Sequence, residues 1–148
     1  MKFAIAGAFA LFAASAAAAP ATVEYFPAPA LQGRPAPFSS AVRVGDTLYL
    51  SGAIGMAPDG KLPAGIEAQS RQAMDNIGGV LKRAGLGWTD VFKCTVMLDN
   101  IADWAAFNTV YVGYFPNGKM PARSALGADG LALGALMELE CLAYAGKK

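Results

Sequence analysis

The segment 66-IEAQSRQAMDNIGGVLKRAGLGWTDVFKCTVML-98 changes its hydrophobic period partway along, and this change decides the fold. From Ile66 to Ala84 the apolar residues recur at helical spacing, and the charged residues fall mostly on the opposite face. Gly85 is placed to end this helix in the left-handed conformation. Residues 91–98 are rich in β-forming side chains and predict a strand. The segment therefore predicts a helix that connects to a sheet.

The residues before this segment predict a β-hairpin. Residues 38–44 (FSSAVRV) and 47–54 (TLYLSGAI) have the composition of strands, and Gly45-Asp46 supplies a tight turn between them. Upstream of the hairpin, residues 27–37 contain four prolines and one glycine, which is typical of an extended entry segment.

The residues after the segment predict one more helix and two more strands. Asn100 or Asp103 is expected to cap a helix that runs to about Tyr114, and Trp88 and Trp104 are expected in the core. Strands follow in RSALGA and ALMELECLAYA. The order β-β-α-β-α-β-β predicts an α+β fold, a mixed β-sheet with two helices on one face. Two helices leave the other face bare, so we expect a second subunit to cover it.

The first residues, MKFAIAGAFALFAASAAAAPA, have the features of a secretory signal peptide. One basic residue, Lys2, precedes an apolar run and then small residues that suit peptidase cleavage. We assign residues 1–21 to this leader and residues 22–148 to one domain. Candidate cleavage sites follow Ala18, Ala19 and Ala21, of which Pro20 disfavours the second. The leader predicts a periplasmic or secreted protein with no stable membrane association after cleavage, and an uncleaved membrane anchor is the alternative.

Charge and composition exclude several function classes. The chain has 12 basic and 11 acidic residues, and Lys2 is the only charged residue of the leader, so the mature chain is neutral. It has no basic run, which disfavours nucleic acid as a partner. Histidine is absent, which excludes Ser-His-Asp and Cys-His triads and every His-ligated metal site. We predict no metal and no organic cofactor.

The two cysteines, Cys94 and Cys141, are 47 positions apart, and each lies within a predicted strand. Export would permit a disulfide bond between them. We nevertheless expect two buried free thiols that act as small apolar residues.

Three charged residues are placed unusually near the C-terminus. Arg123 stands in a run of small and apolar residues, and Glu138 and Glu140 alternate along a strand and so share a face. Like charges on a partly buried face need cationic or hydrogen-bonding partners, or one of them must take up a proton. From the residues alone, a salt bridge between Arg123 and one of the glutamates is favoured. An edge strand with both glutamates in water is a further reading.

From about Pro37 to Ala145 the chain resembles the RidA/YjgF family of reactive-intermediate imine deaminases. Four segments carry the resemblance: LYLSGAIG, AQSRQAMDNIGGVLKRAGLGWTDVFKCTVMLDNIADWAAFNTVYVGYF, PARS and MELECLA. The resemblance implies a chorismate-mutase-like (RidA-like) α+β fold. It also implies a homotrimer with active sites in the clefts between subunits, and a reaction without a cofactor.

The resemblance assigns catalytic roles to Arg123 and Glu138. Arg123, in PARS, matches the arginine that clamps the substrate carboxylate, for which its bidentate fork is suited. Glu138 matches the acid that positions the hydrolytic water, where a carboxylate can take a proton and return it to the leaving nitrogen. The implied substrates are 2-imino acids and their enamine tautomers, and the products are 2-oxo acids and ammonia. Glu140 is interpreted as a supporting or interface residue.

Four more substrate-binding positions follow from the resemblance. Ser51 and Asn108 match residues that line the cleft, although Ser51 would equally suit a buried hydroxyl bonded to backbone and Asn108 a helix surface. Phe38 replaces an aromatic hydroxyl that is common in the family, and Ala125 replaces a cysteine found in many members. Both replacements predict a less polar pocket.

A second function of a different class remains open at this point. The same fold could serve as a non-catalytic trimeric module that captures small carboxylates, or exposed apolar surfaces in a chaperone-like way. Release of ammonia from enamines separates the two hypotheses, because only the enzyme would accelerate it.

Overall fold

The computed structural model describes residues 21–30 and 33–146, except for the side chain of Asn117. Apart from Ala21, the predicted leader lies outside these residues. No helix in the described ranges is long and apolar enough to cross a bilayer. The two helices are α1 (Ile66–Arg83) and α2 (Trp104–Tyr111). The strands are β1 (Val23–Pro27), β2 (Ser39–Val44), β3 (Thr47–Leu50), β4 (Ala53–Ile54), β5 (Val91–Leu98), β6 (Ala122–Gly127) and β7 (Met137–Tyr144).

The strands form one mixed sheet in the order β1-β2-β3-β7-β5-β6, and β4 also pairs with β7. Only the β5–β6 pair is parallel, and the other pairs are antiparallel. Alternate residues of β7 pack with both helices in a single core, whose largest buried side chains include Met74, Phe107 and Leu139. The predicted α+β fold, a mixed sheet with two helices on one face, is confirmed.

Helix α1 forms as its periodicity predicts. Ala73, Ile77 and Leu81 are fully buried. Glu67 in the first turn and two basic residues in the last turn interact favourably with the helix dipole. Gly85 follows with a φ of 74°, which confirms the predicted left-handed end.

The prediction is wrong in three details of the strands and helices. Strand β1 was not predicted, because its five residues are mostly exposed and pair only with β2 at the sheet edge. The predicted strand 47–54 breaks into β3 and β4 at Ser51-Gly52. Helix α2 ends at Tyr111 and continues only as a 3-10 turn. Asn100 does cap, but it caps the 3-10 turn before α2, where its side chain accepts from the Ala102 N–H.

One face of the sheet has no cover in the described chain. The side chains of β7 that point away from the helices belong to Glu138, Glu140, Leu142 and Tyr144. On the same face Tyr49 lies beside Leu142 and is half exposed, as is Tyr144. We call this surface the open face. Exposed apolar area of this kind is typical of a surface that meets another protein.

The expectation of two free thiols is wrong, because a disulfide joins Cys94 and Cys141. The register of β5 and β7 explains the bond. Cys94 lies directly opposite Cys141, with 4.1 Å between their Cα atoms, so the two side chains meet on the same face of the sheet. The pair is buried in the core beneath the helices.

Candidate active site

Arg123 lies on β6, the edge strand of the sheet, and points to the face that bears the helices. It stands beside Cys94 in the parallel register, and its guanidinium lies over three rings of α2. The guanidinium carbon is 4.6 Å from the ring centroid of Tyr111, 5.2 Å from that of Trp104 and 5.6 Å from that of Phe107. These residues are three and four positions apart, so they share one face of the helix. We call Trp104, Phe107 and Tyr111 the aromatic seat.

The guanidinium of Arg123 has no ion pair and no hydrogen bond to any described residue. The favoured salt bridge to Glu138 or Glu140 is therefore wrong. The strand register is the reason: Arg123 shares a face with Cys94 and Cys141, whereas the two glutamates point to the opposite face.

Tyr111 contributes a neutral ring to the seat. The residue is only 3% exposed, and its hydroxyl has no partner among the described residues. Burial raises the pKa of Tyr111 to about 12, against a smaller opposing effect of the Arg123 charge. The phenol is therefore protonated at physiological pH, and Arg123 meets the ring and not a phenolate.

Contacts just after the C-terminal end of α2 hold the aromatic seat in place. Trp88 packs edge-on against Tyr114 and Phe115, with ring centroids 5.4 and 5.3 Å apart. The hydroxyl of Tyr114 donates to Asp75 of α1 at 2.7 Å. Burial, followed by this hydrogen bond, raises the pKa of Tyr114 to about 12, so the phenol remains a donor. These contacts fix α2 to α1 and so fix the rings under Arg123.

Glu138 lies on the open face, opposite Met97 of β5 and Ile54 of β4. Its carboxylate rests against Gly52, where an added Cβ would collide with it. Because residue 52 is glycine and has no side chain, the Glu138 carboxylate has room at this position. Glu140 lies on the same face opposite Thr95, and it is exposed.

The remaining predicted positions divide between the two faces. The Ser51 hydroxyl donates to the Ser39 carbonyl at 2.6 Å, as the backbone-bonded alternative predicts. Ser51 also borders a shallow depression on the open face that Glu140 lines. Ala125 follows Arg123 on the same face of β6 and packs against the core. Asn108 is half buried on α2, and Phe38 is half exposed just before β2.

One chain therefore carries two separate parts of the predicted site. The first part holds Arg123, Ala125 and the aromatic seat, and the second holds Glu138 with Ser51 on the open face. The sequence-based interpretation missed the seat, because it placed Trp104 in the core, whereas Trp104 is 39% exposed beside Arg123. The spacing of the aromatic residues in α2 was the available signal.

Solved structures share this arrangement of sheet and helices. The Yersinia pestis protein YyfA, described as a protein of unknown function of the conserved Rid family, aligns with a TM-score of 0.76 and 34% identity, over 83% of this chain and 99% of that one. Escherichia coli TdcF with bound serine aligns with a TM-score of 0.72 and 29% identity, over 82% and 96% of the two chains. The fold is that of the RidA-like α+β proteins.

Sequence comparison identifies the family within this fold class. The family described as Endoribonuclease L-PSP matches residues 31–145, and the chain belongs to this family, which includes the RidA/YjgF proteins. The chain is also 44% identical over 112 residues to the 2-iminobutanoate/2-iminopropanoate deaminase of Capra hircus. This alignment covers 74% of this chain and 81% of that relative.

Proposed function

We propose that this protein hydrolyses 2-imino acids and their enamine tautomers to 2-oxo acids and ammonia. The observation that carries the proposal is Arg123, a partly buried arginine whose N–H donors have no partner among the described residues. A small carboxylate is the ligand that the guanidinium fork fits best. The similarity to a 2-iminobutanoate/2-iminopropanoate deaminase and to a serine-bound structure supports a small amino-acid-like substrate.

The reaction needs a proton acceptor and a proton donor, and Glu138 suits both roles. Arg123 would hold the carboxylate while water adds to the imine carbon and forms a carbinolamine. Glu138 would take one proton from the water as it adds and pass it to the imine nitrogen. Glu138 would then take the hydroxyl proton of the carbinolamine and deliver it to the nitrogen as the carbon–nitrogen bond breaks. Ammonia and a 2-oxo acid leave, so the step balances without an oxidant, a metal or a cofactor.

In this mechanism we propose that the two parts of the site come from different copies of the chain. Arg123 and Glu138 project from opposite faces of one sheet, so one small substrate does not reach both in a single chain. We propose a homotrimer in which the open face is covered and each cleft takes Arg123 from one copy and Glu138 from another. The exposed tyrosines of the open face support a subunit interface.

The trimer makes a direct prediction for the mass in solution. Light scattering of the mature chain at micromolar concentration is expected to give three times the mass of one chain, because association would remove the half-exposed Tyr49 and Tyr144 of the open face from water. A single monomeric species would contradict both the assembly and the shared cleft.

The function is tested by ammonia release. A dehydratase or an amino-acid oxidase generates the enamine or imine in the cuvette, and the protein is expected to accelerate the appearance of ammonia and 2-oxo acid above the rate without it. A protein that binds 2-oxobutyrate but leaves this rate unchanged would instead be the non-catalytic carboxylate-binding module.

Substitution of Arg123 by lysine tests the carboxylate clamp. Arg123→Lys keeps the charge but loses the two parallel hydrogen bonds, which are worth about 1.5–3 kcal/mol for charged groups. The affinity for 2-oxobutyrate, measured by calorimetry, is expected to fall by roughly tenfold to a hundredfold. If the lysine variant binds like the parent, Arg123 does not clamp the carboxylate.

We also propose that the protein is exported, with residues 1–21 as its signal peptide. The disulfide supports an oxidising compartment, since such bonds are rare in the cytosol. N-terminal sequencing of the protein from its native host is expected to begin after Ala18, Ala19 or Ala21. A chain that begins at Met1 or Lys2 would contradict export.

A further inference from the structure

We propose that Trp104, Phe107 and Tyr111 position Arg123 for the substrate carboxylate, so that the aromatic seat sets the affinity of the site. This inference rests on the carboxylate-binding role of Arg123 in the proposed function. It goes beyond that role because it assigns a task to three residues that do not pair with the carboxylate themselves.

The geometry of a guanidinium separates the two interactions that the proposal requires. A cation is attracted to the face of an aromatic ring within about 6 Å of its centroid, and all three distances from Arg123 are shorter than that. The N–H donors of arginine lie in the guanidinium plane, so stacking on rings does not consume them. The seat can therefore hold the side chain while its donors remain open to a carboxylate.

A glutamate or aspartate could also hold Arg123 in place, but it would interfere with substrate binding. Glutamate or aspartate in place of the rings would occupy the same N–H donors and compete with the substrate. The rings avoid this competition, and they also exclude water from one side of the guanidinium, which strengthens its attraction to an anion. The buried, protonated Tyr111 adds no negative charge beside Arg123.

Arg123 needs such support because of its place in the fold. It stands on the outermost strand, where only β5 flanks its backbone, and no described residue forms an ion pair with it. An arginine side chain without contacts would populate many rotamers, and binding would have to order it. Rings that hold the side chain before the ligand arrives reduce this cost.

Trp104 is the residue on which to test the proposal, because it is the most exposed of the three rings and its loss disturbs the core least. Trp104→Leu is expected to weaken 2-oxobutyrate binding about tenfold by calorimetry. Trp104→Phe is expected to restore binding to within about threefold of the parent, because it keeps an aromatic face.

Two controls separate positioning from general damage. Tyr25→Leu removes a ring that is two-thirds exposed on β1, at the opposite edge of the sheet, and should leave binding unchanged. Tryptophans of increasing fluorination, placed at position 104, weaken the negative ring face with little change in shape. Binding should fall stepwise along this series while the melting temperature stays constant, which a purely structural role would not produce.

The outcomes distinguish this inference from the proposed function. If Trp104→Leu binds like the parent, or if fluorination has no effect, the seat does not position Arg123. If the parent fails to bind 2-oxobutyrate, the inference is also wrong, because Arg123 then has no carboxylate to hold. If the parent binds and the variants weaken as expected but ammonia is not released, the seat stands and the deaminase function fails.

Discussion

Glu138→Gln is expected to lower the rate of imine hydrolysis by about a hundredfold or more while 2-oxobutyrate still binds. Glutamine keeps the shape of the side chain and its contact with Gly52, but it cannot accept a proton from water. Carboxylate binding depends on Arg123, which lies on the other face of the sheet, and should survive. A coupled assay for turnover and calorimetry for binding, on the same protein, measure the two effects separately.

Glu140 provides the matched control for this prediction. It lies two residues along the same strand and on the same face. It is exposed, however, and its carboxylate does not rest against a glycine as that of Glu138 does. Glu140→Gln should therefore turn over at close to the parent rate. Normal turnover in Glu138→Gln would remove Glu138 from the mechanism, and an equal loss in both variants would point to the interface.

Removal of the disulfide is expected to lower the free energy of unfolding by about 4 kcal/mol, the loop-closure value for a bond that spans 47 residues. The double variant Cys94→Ala/Cys141→Ala, followed by urea unfolding at one fixed protein concentration, measures the loss. Alanine suits both sites because both are buried among apolar residues. The parent in the presence of a reductant should lose a similar amount.

The single variants serve as the control for this loss. Cys94→Ala breaks the bond as completely as the double variant, so it should be destabilised by nearly the same amount, and the two single effects should not add. If the double variant unfolds at the urea concentration of the parent, the bond does not constrain the unfolded chain.

The helices and most strands could be predicted because their information is local. The apolar period of α1, the glycine that ends it and the composition of β5 each act within a few residues, and the structure reproduces them. Strand β1 carries no such signal, because an exposed edge strand has no buried face to impose alternation.

The candidate site residues were selected one by one, from their charge and from the family resemblance. Arg123 and Glu138 stand out by their charge in apolar runs, but whether they touch depends on which face of the sheet each occupies. That face follows from the pairing of β5 with β6 and β7, and no local pattern in the sequence reveals this pairing. The disulfide was missed for the same reason, since only the register brings Cys94 opposite Cys141.

The placement of Arg123 and Glu138 on opposite faces has a genetic consequence. In the proposed trimer, each cleft takes Arg123 from one copy and Glu138 from another. A copy that lacks Arg123 therefore inactivates one cleft, and a copy that lacks Glu138 inactivates one cleft through its other half. A trimer assembled from either mutant alone has no intact cleft. When both mutants are made in one cell, however, the sound arginine of one copy meets the sound glutamate of the other, so two inactive alleles complement each other.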